Sequence, residues 1–109
     1  EILTEILDFP PLCKCGNILR PDVVWFGESL PQDVWQNAIE FASQCDLMVI
    51  VGTSLVVSPA NTLPLYAKQN NATLIEINPE NTKLSEKMNE IIRNSSAETL
   101  PKLISLFKK

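Results

Sequence analysis

Three clusters in this sequence carry residue types with chemistry in them. Gly52-Thr53-Ser54 and Asn78-Pro79-Glu80 each follow a short apolar run. Two such polar clusters at the ends of parallel strands would lie on one edge of a sheet, the crevice where open α/β folds bind ligands. There Gly52 lets backbone approach a ligand closely, Thr53 and Ser54 offer hydroxyls and amides, and Asn78 can hydrogen-bond a sugar hydroxyl. Ordinary turns use the same residues. Cys13-Lys14-Cys15-Gly16 is the second cluster: paired thiolates on a tight turn suit half of a tetrahedral zinc site, which needs four ligands. A remote Cys45 reads better as a core thiol. The third is Val23-Val24-Trp25-Phe26-Gly27-Glu28, where large rings beside a glycine can wall an apolar slot and leave backbone for an extended peptide. A core strand followed by a turn accounts for the same run.

Composition narrows the choices. The chain has 109 residues, no histidine, and nine basic against thirteen acidic residues, for a net charge of −4. Without imidazole these residues build no Ser-His-Asp or Cys-His catalytic group. The acidic balance argues against nucleic-acid binding, which needs clustered Lys and Arg. No apolar run reaches the ~20 residues of a membrane span. No G-x-G-x-x-G or G-K-[ST] phosphate loop occurs. Three cysteines are too few for a disulfide framework, so a cytoplasmic setting is expected.

The elements that must position these clusters follow from spacing. Ser29, with Gln32 as capping-box partner and Pro31 in the first turn, predicts a helix to about Gln44, with Val34, Trp35, Ala38, Ile39, Phe41 and Ala42 as its apolar face. Asp46 to Val51 reads as a central strand buried on both faces. An irregular turn around Pro59 to Pro64 leads into a short helix ending near Asn70. Thr73–Ile77 and Met88–Arg93 read as two further strands. Ser95 with Glu98 caps a last helix bearing Leu100, Leu103, Ile104 and Phe107. The order α-β-α-β-β-α contains one βαβ unit and describes half of a doubly wound, Rossmann-like parallel α/β sheet (23–109), preceded by a small cysteine-bearing module (1–22).

Taken together, the clusters resemble the sirtuin family of NAD-dependent protein lysine deacylases. The resemblance rests on Cys13-x-Cys15-Gly-Asn-Ile-Leu-Arg-Pro-Asp-Val-Val-Trp-Phe-Gly-Glu-Ser-Leu-Pro, Val51 to Ala60 with Leu63-Pro64, Ile77 to Thr82, and Ala97 to Pro101. It implies structural zinc on Cys13 and Cys15, completed by a second cysteine pair upstream. Gly52, Thr53 and Ser54 would line the NAD ribose pocket, Asn78, Pro79 and Glu80 the adenine ribose, and Ala97 the adenine. The Val24 carbonyl would accept the acetyl-lysine N–H and Phe26 would cover its aliphatic stem. Gly27 and Glu28 on one side, with Val56, Val57 and Ser58 on the other, would clamp the acetylated peptide or protein as an added strand. The implied reaction transfers the acetyl group to ADP-ribose and releases nicotinamide, with a histidine as base.

The family's Gly-Ala-Gly loop, its Thr-Gln-Asn-Ile-Asp segment and its His-Gly are absent from this sequence, and Ser96 stands where a glycine is common. These residues therefore read as the C-terminal part of such an enzyme, inactive alone and joined to a missing N-terminal half. A non-catalytic module that keeps the peptide clamp and zinc knuckle is the alternative; a generic nucleotide-binding α/β domain is a weaker one.

Overall fold

The apolar run that ends at Gly52 becomes strand β1 (Leu47–Val51) in the computed structural model, which describes residues 10–108 without the Phe107 side chain. The expected strand after Ala72 is β2 (Thr73–Ile77), and the third is a shorter β3 (Glu90–Ile92). β1 pairs with β2 in parallel, Leu47 opposite Thr73 and Val51 opposite Ile77. β3 lies parallel on the far side of β2, giving the order β1-β2-β3. The α/β class with a parallel sheet is therefore as expected from the sequence. Among the described residues no helix is long and apolar enough to cross a membrane.

One strand assignment changes. β2 is the central strand, and among the described residues β1 lies at an edge. Its side chains accordingly alternate: Ile50 is buried, while Leu47 and Val49 are nearly half exposed. The unbroken apolar composition of β1 thus serves two faces of which one is open.

The contacts divide the chain into two units, one ending at Leu30 and one beginning at Pro31, later than the 22/23 boundary drawn from sequence. In the second unit, helix α1 (Gln32–Gln44) follows Pro31 at its N-cap with no side-chain cap. Ser29 does not cap it. Because the helix starts at Gln32, Gln32 is its first residue and not the reciprocal partner of a capping box. Proline at this position forfeits only an N–H that the helix has no acceptor for. Ala42 is buried, but Val34 and Phe41 point outward, so the expected apolar face is only partly covered.

The irregular turn before the second helix is present. A 3₁₀ turn (Ala60–Thr62) runs into α2 (Leu63–Gln69), with Pro64 buried in its first turn. Ser95 caps α3 (Ser96–Phe107), its hydroxyl accepting the Glu98 N–H at 3.3 Å. The core lies between α2 and the sheet: Ile50, Leu55, Ala67, Ala72 and Leu74, with Met48, Leu84, Met88 and Cys45 packed on it. In the first unit Leu12 and Ile18 form an antiparallel bridge around the cysteine turn. The run Val23–Phe26 is not a strand. No described residue pairs with it, and all four side chains are exposed, Phe26 by 91%.

Leu74, the second residue of β2, is fully buried. Leu74→Ala should cost about 2–5 kcal/mol in a denaturant titration, the range for a leucine truncated in a packed core; a loss below about 1 kcal/mol would show that this core is not formed as described.

Candidate nucleotide and peptide site

The in-register pairing of β1 with β2 puts Gly52 and Asn78, each one residue past its strand, on the same edge of the sheet. The Gly52 N–H extends the ladder to the Ile77 carbonyl at 3.0 Å, and the Asn78 N–H donates to the Ile92 carbonyl at 3.1 Å. Gly52 turns the chain at φ +62°, a left-handed conformation that glycine enters without a Cβ clash. The Asn78 side chain then ties the two strand ends together. Its Nδ2 donates to the Thr53 carbonyl at 2.9 Å, and its Oδ1 accepts the Glu80 N–H at 3.1 Å. One hydrogen on Nδ2 and one lone pair on Oδ1 remain for a ligand.

Five of the predicted nucleotide residues converge. Gly52, Ser54, Asn78, Pro79 and Glu80 line a cavity of about 260 Å³, joined by Asn81 and Thr82. Thr53 is turned the other way, with Leu55 and Val57, into an apolar hollow of about 320 Å³ against β1. The alternation along residues 52–57 thus separates a polar hollow from an apolar one. Leu55 sits at φ +54° with its side chain buried, a strained backbone of the kind found at functional turns. Its N–H donates to Thr53 Oγ1 and its carbonyl accepts from Asn61 Nδ2. Val56 is half exposed and Ser58 is exposed. Ala97 is exposed in the first turn of α3 and lines neither hollow.

Sequence reasoning missed the pair beneath this site. Glu76 on β2 is wholly buried, and its carboxylate accepts from the hydroxyls of Thr82 and Ser85, at 2.6 and 2.7 Å, and from Arg93 Nη1 at 2.6 Å. Burial pushes the Glu76 carboxyl up, but the Thr82 hydroxyl, the Arg93 guanidinium and the Ser85 hydroxyl together hold it below the ordinary glutamate range. Nothing in the sequence links Glu76 to Arg93, because a Glu within Thr-Leu-Ile-Glu-Ile reads as a solvent-facing strand residue.

In the first unit, the cysteine turn closes through the Cys13 N–H to the Asn17 carbonyl and the Gly16 N–H to the Cys13 carbonyl. Gly16 has φ +87°. The Cys15 N–H points at Cys13 Sγ at 3.4 Å, and Asn17 Nδ2 at Cys15 Sγ at 3.6 Å. The neighbouring Cys13 thiol, then the Asn17 backbone, draws the Cys15 thiol below its ordinary pKa. Two cysteine sulfurs on one turn, each facing one N–H donor, fit half a zinc shell; no group of three or more metal-ligating side chains occurs among the described residues.

The Glu28 carboxylate is committed locally, to Arg20 at 2.7 Å and to the Trp25 N–H at 3.1 Å, fixing the turn that carries Gly27. Val24 and Phe26 are left facing out, and no hydrogen bond among the described residues uses the Val24 carbonyl. Gly27 and Glu28 belong to the first unit and Val56 to Ser58 to the second.

Comparison with known proteins gives a consistent set. The sequence pattern described as "Sir2 family" matches residues 3–59. An NAD-dependent protein deacylase of Mycobacterium tuberculosis (strain ATCC 25618 / H37Rv) is 47% identical over 95 residues, which is 87% of this chain and 40% of the relative. A variant of a Sir2 homologue solved in complex with ADP-ribose superposes with a TM-score of 0.82 at 40% identity, covering 95% of this chain and 42% of that one. A Sir2 structure bound to an acetylated peptide gives 0.78 at 33% identity over 90% of this chain and 42% of that one. The chain therefore spans about two fifths of the length of the relatives it matches.

Because the Glu76 pKa is lowered in the folded state, its contribution to stability is complete above the ordinary glutamate pKa and is lost as pH falls through the lowered value. Melting temperatures from about pH 7 down to about pH 3 should fall less steeply for Glu76→Gln than for the parent protein. Equal acid slopes would contradict the pairing.

Proposed function

This chain belongs to the Sir2 family, and from there we propose that it forms part of an NAD-dependent protein lysine deacetylase that moves the acetyl group of acetyl-lysine to ADP-ribose and releases nicotinamide. The observation that carries the reading is the convergence of Gly52, Ser54, Asn78, Pro79 and Glu80 on one polar cavity at the strand ends. NAD supplies the leaving nicotinamide and the ribose that receives the acyl group.

The chain's own residues bind and orient. Gly52 presents bare backbone to the nucleotide, and the Ser54 hydroxyl and Glu80 carboxylate offer hydrogen-bond partners for ribose hydroxyls. Ala97 meets the adenine as α3 begins. On the peptide side, the Val24 carbonyl accepts the acetyl-lysine N–H. Phe26 gains from covering an aliphatic stem, because a ring 91% exposed forgoes most of its hydrophobic stabilisation. Gly27 and Glu28 in the first unit offer a backbone edge for an extended peptide, and so, in the second unit, do Val56, Val57 and Ser58. The 109 residues contain no histidine, so the imidazole base comes from outside them, and alone they do not deacetylate. Cys13 and Cys15 hold a structural zinc with two further ligands that lie outside the described residues. We assign the activity to the cytoplasm.

The naturally expressed protein should remove acetyl groups from an acetyl-lysine peptide only when NAD is present, with one nicotinamide released per acetyl group lost, as read by mass spectrometry. Deacetylation without NAD would sink the proposal. Phe26→Ala should raise the KM for peptide by about tenfold and leave the KM for NAD within about twofold, the pattern expected when a binding contact for one substrate is lost. Metal analysis should find about one zinc per chain, absent from Cys13→Ser; unchanged zinc in that variant would remove Cys13 from the ligand set.

A further inference from the structure

Arg93 stands just past β3 and does more than neutralise Glu76. Its Nη1 donates to the Glu76 carboxylate at 2.6 Å and also reaches the carbonyls of Glu80 at 3.0 Å and Asn78 at 3.1 Å. Its Nη2 donates to Asn81 Oδ1 at 2.6 Å and to Ser85 Oγ at 3.2 Å. One guanidinium thus joins a carboxylate buried in the sheet to three points on the 78–81 turn, at Asn78, Glu80 and Asn81, the turn that walls the strand-end cavity. The Arg93 side chain is about one-third exposed while Glu76 is fully buried, so the pair is anchored from below and reaches outward.

We propose that Arg93 is the positioning residue of the nucleotide site: seated on Glu76, it fixes the backbone of residues 78–81 and thereby sets the affinity for NAD. The proposal rests on the NAD reading above for its ligand, though not for its geometry. Arginine is required by shape. Its rigid planar fork serves several acceptors at once, whereas a lysine ammonium keeps the charge opposite Glu76 but lacks the fork. Without the brace, the turn is held mainly by the Asn78 side chain, by Thr82 and Ser85, and by the Asn78 N–H to the Ile92 carbonyl. NAD must then order the turn as it binds, and that cost appears as weaker binding.

Arg93→Lys in the naturally expressed protein tests this, backed by the double variant Glu76→Gln/Arg93→Gln, which removes both charges and leaves no lone buried carboxylate. Two readouts are taken: hydrogen exchange of the Asn78, Glu80 and Thr82 amides, and the affinity for NAD by calorimetry alongside steady-state kinetics. Both variants should exchange about tenfold faster at these amides, with β1 and β2 unchanged. Their Kd and KM for NAD should rise about tenfold, with kcat at saturating NAD and the KM for peptide within about twofold of the parent. Unchanged exchange at residues 78–82 overturns the proposal. Faster exchange with unaltered NAD affinity overturns it too, leaving Arg93 a purely structural residue. A parent protein that binds no NAD refutes the cofactor reading instead, and the exchange rates still decide whether Arg93 holds the turn.

Discussion

A carboxylate shut away from water needs its full set of partners, and Glu76 imposes that requirement on the middle strand of the sheet. A buried, unpaired charge would cost several kcal/mol, so the loop after β2 is arranged to return Thr82 and Ser85 to it, and β3 ends where Arg93 can reach it. Each of those residues also serves the loop. Ser85 Oγ accepts the Thr82 N–H at 2.8 Å, and Thr82 Oγ1 accepts the Leu84 N–H at 3.3 Å. Satisfying one acid therefore settles the path of residues 78–85, and with it the outer wall of the strand-end cavity. Such a network rigidifies a site because no member moves without leaving another unpaired.

On the inner wall the governing constraint is the irregular backbone of residues 52–57, with left-handed turns at Gly52 and Leu55. From Gly52 to Val57 the chain sends Ser54 to the polar hollow and Thr53, Leu55 and Val57 to the apolar one. The left-handed turn at Leu55 keeps that side chain in the core while its neighbours stay at the surface. One six-residue stretch thus faces two hollows of opposite character. The Arg20–Glu28 pair plays a comparable but weaker part in the first unit. Both its side chains are about half exposed, so it shapes the Gly27 turn more than it stabilises the fold.

The strands, the second helix with its proline-marked start, and the Ser95 cap were legible because each depends on local pattern: an apolar run, a fixed φ, or a hydroxyl three residues before an N–H. Pairing at the strand ends was legible because parallel strands of equal length bring their carboxyl ends together. The Glu76–Arg93 link was not, since it spans 17 residues and joins two residue types usually found in solvent. The Ser29 cap was misread because the helix begins two residues later than a Ser29 cap requires, with Pro31 at its N-cap. Val23–Phe26 has strand composition, but strand propensity expresses itself only against a partner. The open face that β1 shows among the described residues was hidden for the opposite reason: an all-apolar run reads as doubly buried whether or not both faces are covered.

The central claim is that the cavity between the β1 and β2 ends receives the nucleotide. It is tested most directly by a crystal structure of the naturally expressed protein with NAD and an acetyl-lysine peptide. The account predicts a ribose within hydrogen-bond distance of Ser54, Asn78 or Glu80, and the acetyl-lysine N–H on the Val24 carbonyl. A nucleotide bound elsewhere, with the 52–54 and 78–80 turns untouched, would contradict it.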